Sequence, residues 1–441
     1  MDTKLSGRAA ERQLVQALGP FGLAAVIVNI IVGAGIFAMP SRLFERLGPS
    51  APLAFVLGAL AIIPISMCFA AAGSRAATTG GPYTYGRAAF GPLIGFVAGS
   101  LMWICNVASS GGVAAALMDQ LQAFIPVVGT ETGRRVAIVL VYVLLLALNL
   151  FGIKLGSRAI NVLAGLKLTP LFVLAIIGMA FVDWSQVSFT RWPAWAAMGP
   201  AMILVIFAYS GIETALIPSG EVQDPSRNVP RATLIGTLLV VILYVSLQIV
   251  TQGLLKADLA GTRTPIADAA GVLLPIARTA LLLTACVSML GFLMGNLLAS
   301  SRLLFALGRD GYLPKALGSL DSRYHVPRTA LILHAIGGTL LALGGNFESL
   351  ATMSGGANCM VYALVCAAAW KLQASNVQEH GTPFRLPLGP VVPLISIGIM
   401  AAILLTLPLT EWKAIATWLA ALIVLYFGLH MARRSMRTPV N

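Results

Sequence analysis

Apolar segments about twenty residues long recur through the whole 441-residue chain, and no other feature limits its fold so strongly. A helix rises about 1.5 Å per residue, so roughly 20 apolar residues match the ~30 Å hydrocarbon thickness of a bilayer. Twelve such segments are marked, at about 19–44, 51–73, 91–124, 134–153, 158–182, 196–217, 230–254, 272–306, 328–345, 349–371, 390–409 and 411–432. Backbone N–H and C=O groups inside a bilayer must be satisfied within the protein, which makes helices the spanning elements for segments of this length. The expected fold class is therefore an all-α integral membrane protein with about twelve transmembrane helices. Composition agrees, since 58% of residues are hydrophobic and 10% are charged; a soluble domain carries about 25% charged residues. The spans follow one another with short loops only, so residues 19–432 form one membrane domain between a tail at 1–18 and a tail at 433–441.

The net charge of +13 raises the question of a nucleic-acid partner. The lysines and arginines form no compact cluster; they sit singly or in pairs in the gaps between spans, which is the pattern of basic loops on one membrane face. With the N-terminus cytoplasmic, 19 of the 29 Lys and Arg fall inside, nine fall outside and Lys167 falls within a span. Both termini are therefore placed in the cytoplasm, and no nucleic acid is expected. Polar, charged Met1–Arg12 shows no signal-peptide cleavage pattern, so the first span is expected to be retained. The five cysteines all lie in apolar segments, and the four histidines have no metal-ligand spacing. No Gly-rich loop runs into Lys-Ser or Lys-Thr, so ATP hydrolysis is not expected. Neither a cofactor nor a bound metal is implied, and no enzymatic constellation competes with a membrane function.

Shifting the first five spans by roughly 180–190 residues lays them on spans six to ten, with the long third span on the long eighth. Five is an odd number, so the halves must insert with opposite topology. The expected architecture is a 5+5 inverted repeat, with repeat one over about 19–182, repeat two over about 196–371 and two extra helices over about 390–432. Such repeats carry broken helices at corresponding places. Span one contains Ile31-Val32-Gly33-Ala34-Gly35-Ile36, and span six contains Phe207-Ala208-Tyr209-Ser210-Gly211-Ile212-Glu213. At a break, free N–H groups at the start of the second half-helix suit a carboxylate, and free carbonyls at the end of the first suit an ammonium. A close helix contact through small residues is the plainer alternative. The candidate substrate contacts are Ile31, Gly33, Ala34, Gly35, Ile36, Phe207, Ala208, Tyr209 and Ser210, together with Asn106 in span three and Asn296 in span eight. Ionisable groups are costly within spans, which makes Glu213 and Lys167 candidates for gating or coupling, with Tyr362 as an aromatic gate and Trp103 as a second aromatic cap. Lys167 needs acceptors, for which the freed span-one carbonyls serve, unless its stem reaches the interface.

With these residues in view, the chain resembles the amino acid–polyamine–organocation superfamily. The likeness rests on Gly33-Ala34-Gly35-Ile36-Phe37, Gly80-Gly81-Pro82-Tyr83-Thr84-Tyr85, Asn149 with Gly152 and Lys154, and Gly211-Ile212-Glu213. It continues through Gly220-Glu221, Asp224-Pro225, Pro230-Arg231-Ala232, and Ser301-Arg302 with Arg309-Asp310-Gly311-Tyr312-Leu313-Pro314. The resemblance implies the leucine-transporter-like fold and a permease for amino acids or related amines, in the bacterial cytoplasmic (inner) membrane. Lys167 is similar to the span-five lysine that stands in the place of a sodium ion in sodium-independent members, implying exchange or proton symport. Trp103-Ile104-Cys105-Asn106 resembles the span-three segment of the bacterial arginine–agmatine antiporter, whose asparagine contacts substrate. Phe207 falls where that antiporter stacks a tryptophan on substrate. Asn296 or a neighbour stands where it has an aromatic, and Ala71 stands where many relatives have a glutamate; both departures weigh against an arginine-type substrate. A polyamine or basic amino acid antiporter is the alternative within the class. A channel or membrane sensor is the alternative outside it, and neither a continuous polar stripe nor a soluble domain supports that. The expected partners are a small-molecule substrate and the lipid bilayer, with a homodimer left open.

Overall fold

The computed structural model describes residues 19–76, 81–151, 157–215, 224–321, 324, 326–378 and 382–435. The tail at 1–18, Gly80, Gly152 with Lys154, Gly220-Glu221 and the C-terminal end from 436 lie outside the described residues. The described residues are helical or irregular, with no strand among them. Their principal helices are α1 (Pro20–Ile31), α2 (Gly35–Leu47), α3 (Ala51–Arg75), α4 (Pro82–Phe90), α5 (Pro92–Leu121), α6 (Glu131–Leu150), α7 (Ser157–Met179) and α8 (Trp195–Tyr209). They continue with α9 (Ile212–Ala215), α10 (Pro225–Leu255), α11 (Pro265–Leu273), α12 (Pro275–Arg309), α13 (Arg328–Gly344), α14 (Phe347–Ala374), α15 (Val391–Leu404) and α16 (Leu409–Ser435). Among the described residues, 7 helical stretches are long and apolar enough to cross a membrane, and α1, Gly165–Met179, α8, α13 and α15 are shorter apolar helices. Proline opens α1, α4, α5, α10, α11 and α12, where its missing N–H would have found no intrahelical partner.

Two helices differ from the sequence reading. The segment marked at 272–306 contains a boundary, because Leu274 is extended and Pro275 starts a new helix, which leaves α11 as a separate element. The Gly81-Pro82-Tyr83 motif opens the short helix α4, with Gly81 at φ 54° supplying the left-handed turn. At about 1.5 Å per residue the 35 residues of α12 are longer than a bilayer core. They carry Arg309 and Asp310 out to meet α4: Tyr83 donates to Asp310 Oδ2 at 2.5 Å and Arg87 to the same oxygen at 2.8 Å. Two distant sequence motifs thus form one polar knot. Burial first, and then the Asp310 carboxylate, push the Tyr83 hydroxyl upward, so it stays a donor.

The interior is filled around α8, whose residues from Ala201 to Tyr209 are all buried. Three neighbours approach α8 through glycines. A Cβ on Gly35 of α2 would lie 3.0 Å from Ala208 Cα, one on Gly58 of α3 would lie 2.2 Å from Val205 Cγ1, and one on Gly355 of α14 would lie 2.4 Å from the Ile203 carbonyl oxygen. Left-handed backbone also closes other helices. Gly48 closes α2 at φ 55°, ψ −136°, and Lys256 closes α10 at φ 53°, ψ −129°. That region is essentially glycine's alone and costs a side-chain-bearing residue about 1–3 kcal/mol.

Candidate functional site

The first apolar segment breaks where its small residues are placed. Helix α1 ends at Ile31, Val32-Gly33-Ala34 are irregular, and α2 starts at Gly35. Gly33 N–H turns back to Ile31 O at 2.6 Å, so Asn29 O loses its helical partner. Side chains from three distant helices donate to carbonyls at the break. Lys167 of α7 donates to Asn29 O at 2.5 Å, Tyr244 of α10 donates to Ile31 O at 2.9 Å, and Ser288 of α12 donates to Val32 O at 3.4 Å. The lysine ammonium thus meets a carbonyl at the break rather than reaching the interface.

The second break lies against the first. Helix α8 ends at Tyr209, Gly211 takes φ 128°, and α9 starts at Ile212. A Cβ on Gly211 would meet Ile31 Cα at 3.2 Å, so the two breaks pack backbone to backbone. Their half-helix starts differ in one chemical respect. Both Glu213 oxygens accept from Gly211 N–H at 3.0 Å, and Tyr362 donates to Oε2 at 2.8 Å, so α9 already holds a carboxylate of its own. Among the described residues no acceptor takes the N–H groups of Ala34, Gly35 or Ile36 at the start of α2. An anion arriving from outside the chain therefore finds open donors at one break and an internal carboxylate at the other.

The predicted residues separate accordingly. Ile31, Gly33, Ala34, Gly35, Ile36, Phe207 and Ala208 all lie buried at or beside the paired breaks. The Phe207 ring stands edge-on to Phe347 at 5.9 Å, next to the ion pair of Arg46 with Glu348. Tyr209 contributes backbone only, since its ring stacks on Tyr244 at 5.5 Å and its hydroxyl donates to Phe55 O at 3.1 Å. Ser210 turns its hydroxyl onto Phe207 O at 2.7 Å. Asn106 is buried on α5 beside Cys105, whose thiol meets Ser354 Oγ of α14 at 3.2 Å. Trp103, read from the sequence as an aromatic cap, instead sets its ring against Trp418 of α16 at 6.0 Å. Asn296 is drawn to α13, where its amide oxygen meets His334 Nε2 at 2.9 Å. The α12 residues at the first break are Ser288 and Phe292, the latter 3.3 Å from a Cβ built on Gly33. Phe292 lies one turn before Asn296, and its signal was the aromatic itself. Tyr244 carried no comparable signal, because a lone tyrosine in an apolar run reads as packing.

The amino acid permease family matches residues 18–429. The chain belongs to that family. Curated relatives of this permease include the methylthioribose transporter of Bacillus subtilis, 24% identical over 96% of this chain and 95% of the relative. The branched-chain amino acid permease of Bacillus subtilis is 26% identical over 96% and 95%. The cadaverine/lysine antiporter of Escherichia coli is 26% identical over 74% of each chain. Family and relatives are transporters and not enzymes, so the permease is an integral membrane protein that moves a small molecule across a bilayer.

Proposed function

We propose that the permease carries neutral amino acids across a bacterial cytoplasmic membrane without sodium, by exchange or proton symport and with alternating access at the paired helix breaks. The observation that carries this reading is the asymmetry between the two half-helix starts. The substrate carboxylate sits on the open N–H groups of Ala34, Gly35 and Ile36, and its ammonium faces the carbonyls of Ala208 and Tyr209, released by the second break. Phe207, Phe292 and Asn106 line the side-chain end. Glu213 is the only carboxylate in the two break segments, and its oxygens are already engaged, so a second cationic group on the substrate finds no free partner. That disfavours the diamine chemistry named for one relative and fits the branched-chain amino acids named for another. Sodium independence is supported by the Lys167 ammonium on Asn29 O.

The architecture proposed with it has twelve spans. These are the broken pairs α1–α2 and α8–α9 with α3, α5, α6, α7, α10, α12, α13, α14, α15 and α16. Spans one to five and six to ten form a 5+5 inverted repeat, both termini are cytoplasmic, and Glu213 with Tyr362 acts as a gate. The test is initial uptake of labelled leucine, isoleucine, lysine, putrescine and methylthioribose in proteoliposomes, with choline in place of sodium and with or without a pH gradient. Leucine or isoleucine uptake in choline is the expected result. Uptake of putrescine or methylthioribose in preference to every neutral amino acid overturns the substrate assignment.

A further inference from the structure

A cavity of about 840 Å³ lies away from the helix breaks, between the ends of α7 and α10, α11 and the start of α12. One wall is the stripe Pro170, Val173 and Ile177 on α7 with Phe181 in the turn just past it, and Ala277 and Leu281 of α12 face that stripe. Val173, Ile177 and Phe181 are about half exposed, so the cavity opens sideways, toward the space that lipid fills around a membrane protein. From Pro170 to the end of α7 at Met179 it runs about 14 Å at 1.5 Å per residue, roughly the depth of one leaflet of a ~30 Å core.

Its rim is charged at one end only. Lys256 Nζ stands 3.0 Å from Asp183 Oδ2, and both residues belong to the lining. Hydrogen bonds from Ser185, and then Lys256, hold Asp183 at about 2, so its carboxylate stays charged beside the Lys256 side chain. Lys256 also occupies the left-handed conformation that the chain fills with glycine at Gly48 and Gly81. The strained backbone therefore coincides with the residue whose ammonium reaches the rim.

We propose that this cavity is a binding site for one zwitterionic phospholipid with a primary-amine headgroup, a phosphatidylethanolamine. An acyl chain lies along the α7 stripe, the phosphate meets Lys256 and the headgroup ammonium meets Asp183. An anionic lipid offers nothing to Asp183, and the adjacent opposite charges are what select the zwitterion. Pro170 is one turn from Lys167 on α7, so a seated chain bears on the helix that caps Asn29 O. That last link rests on the proposed role of Lys167; lipid binding itself does not.

The experiment is native mass spectrometry of the delipidated full-length permease in detergent, titrated with dioleoyl phosphatidylethanolamine or dioleoyl phosphatidylglycerol. Wild type is expected to take up one phosphatidylethanolamine at least fivefold more tightly than phosphatidylglycerol. Ala277→Trp fills the cavity and should weaken that binding tenfold or more. Lys256→Gly removes the cation and relieves the left-handed backbone, so it should bind about fivefold more weakly while melting no lower than wild type, which separates lost lipid from lost fold. Equal binding of the two lipids overturns the headgroup assignment. Unchanged phosphatidylethanolamine binding in both variants overturns the site. A dimer abolished by Ala277→Trp, with no retained lipid, overturns the proposal in favour of a second copy of the chain.

Discussion

Replacing Lys167 by methionine removes the ammonium while keeping a similar unbranched stem, and the structure sets the size of the effect. The lysine makes one hydrogen bond, to the carbonyl that the break strips of its helical partner. An orphaned buried carbonyl costs about 1–3 kcal/mol. The buried ammonium carries a desolvation penalty that methionine does not have, and this offsets part of the loss in global stability. Whole-protein melting should therefore move little. The local balance between the broken α1–α2 arrangement and its alternatives should shift by the full 1–3 kcal/mol, or roughly 5- to 150-fold. Initial leucine uptake in choline-based proteoliposomes is expected to fall at least fivefold in Lys167→Met, with the detergent-purified variant still monodisperse. Lys167→Arg should rescue poorly, because a forked guanidinium does not fit where a single Nζ meets a single carbonyl. Wild-type uptake in Lys167→Met, or a wild type inactive without sodium, would refute the reasoning.

Gly35→Val places a side chain where the α2 and α8 backbones touch, so substrate-induced thermal stabilisation should vanish in a sample that still elutes as a monodisperse peak. Glu213→Gln and Tyr362→Phe each break one contact of the same carboxylate, and uptake in the double variant should fall no further than in the worse single one; additive losses would show that the two act separately. Tyr244→Phe keeps the stack on Tyr209 and removes only the cap on Ile31 O, so stability should drop by about 1 kcal/mol in denaturant titration.

Helix positions were legible in the sequence to within a few residues: the third apolar segment was placed at 91–124 and the helix runs from Pro92 to Leu121. Length and hydropathy report position along the membrane normal, and the small residues at Gly33 and Gly211 report the breaks. Rotation about a helix axis is far less legible. Asn296 was chosen as the polar residue of its span, yet it faces His334, while Phe292, one turn away, meets Gly33. Successive turns do not repeat on one line, and the face turned inward is decided by which neighbour packs there. The caps from Tyr244 and Ser288 were invisible for a related reason: they bridge more than two hundred residues of sequence to reach a carbonyl. Lys167 was found because a charge inside a span demands a partner, whereas a hydroxyl demands much less.

The glycine contacts around α8 have a mechanical consequence. Helices commonly interlock by side chains that enter gaps on the neighbour, and such teeth resist displacement along the axis. At Gly35 and Gly355, two neighbours of α8 meet its backbone where a tooth would stand, whereas at Gly58 the Val205 side chain of α8 fills the gap. The α8 rod is thus seated as in a bearing with one key, close to its neighbours at two points and indexed at the third. A methyl group added at Gly355, opposite the Ile203 carbonyl, would turn the bearing into a stop.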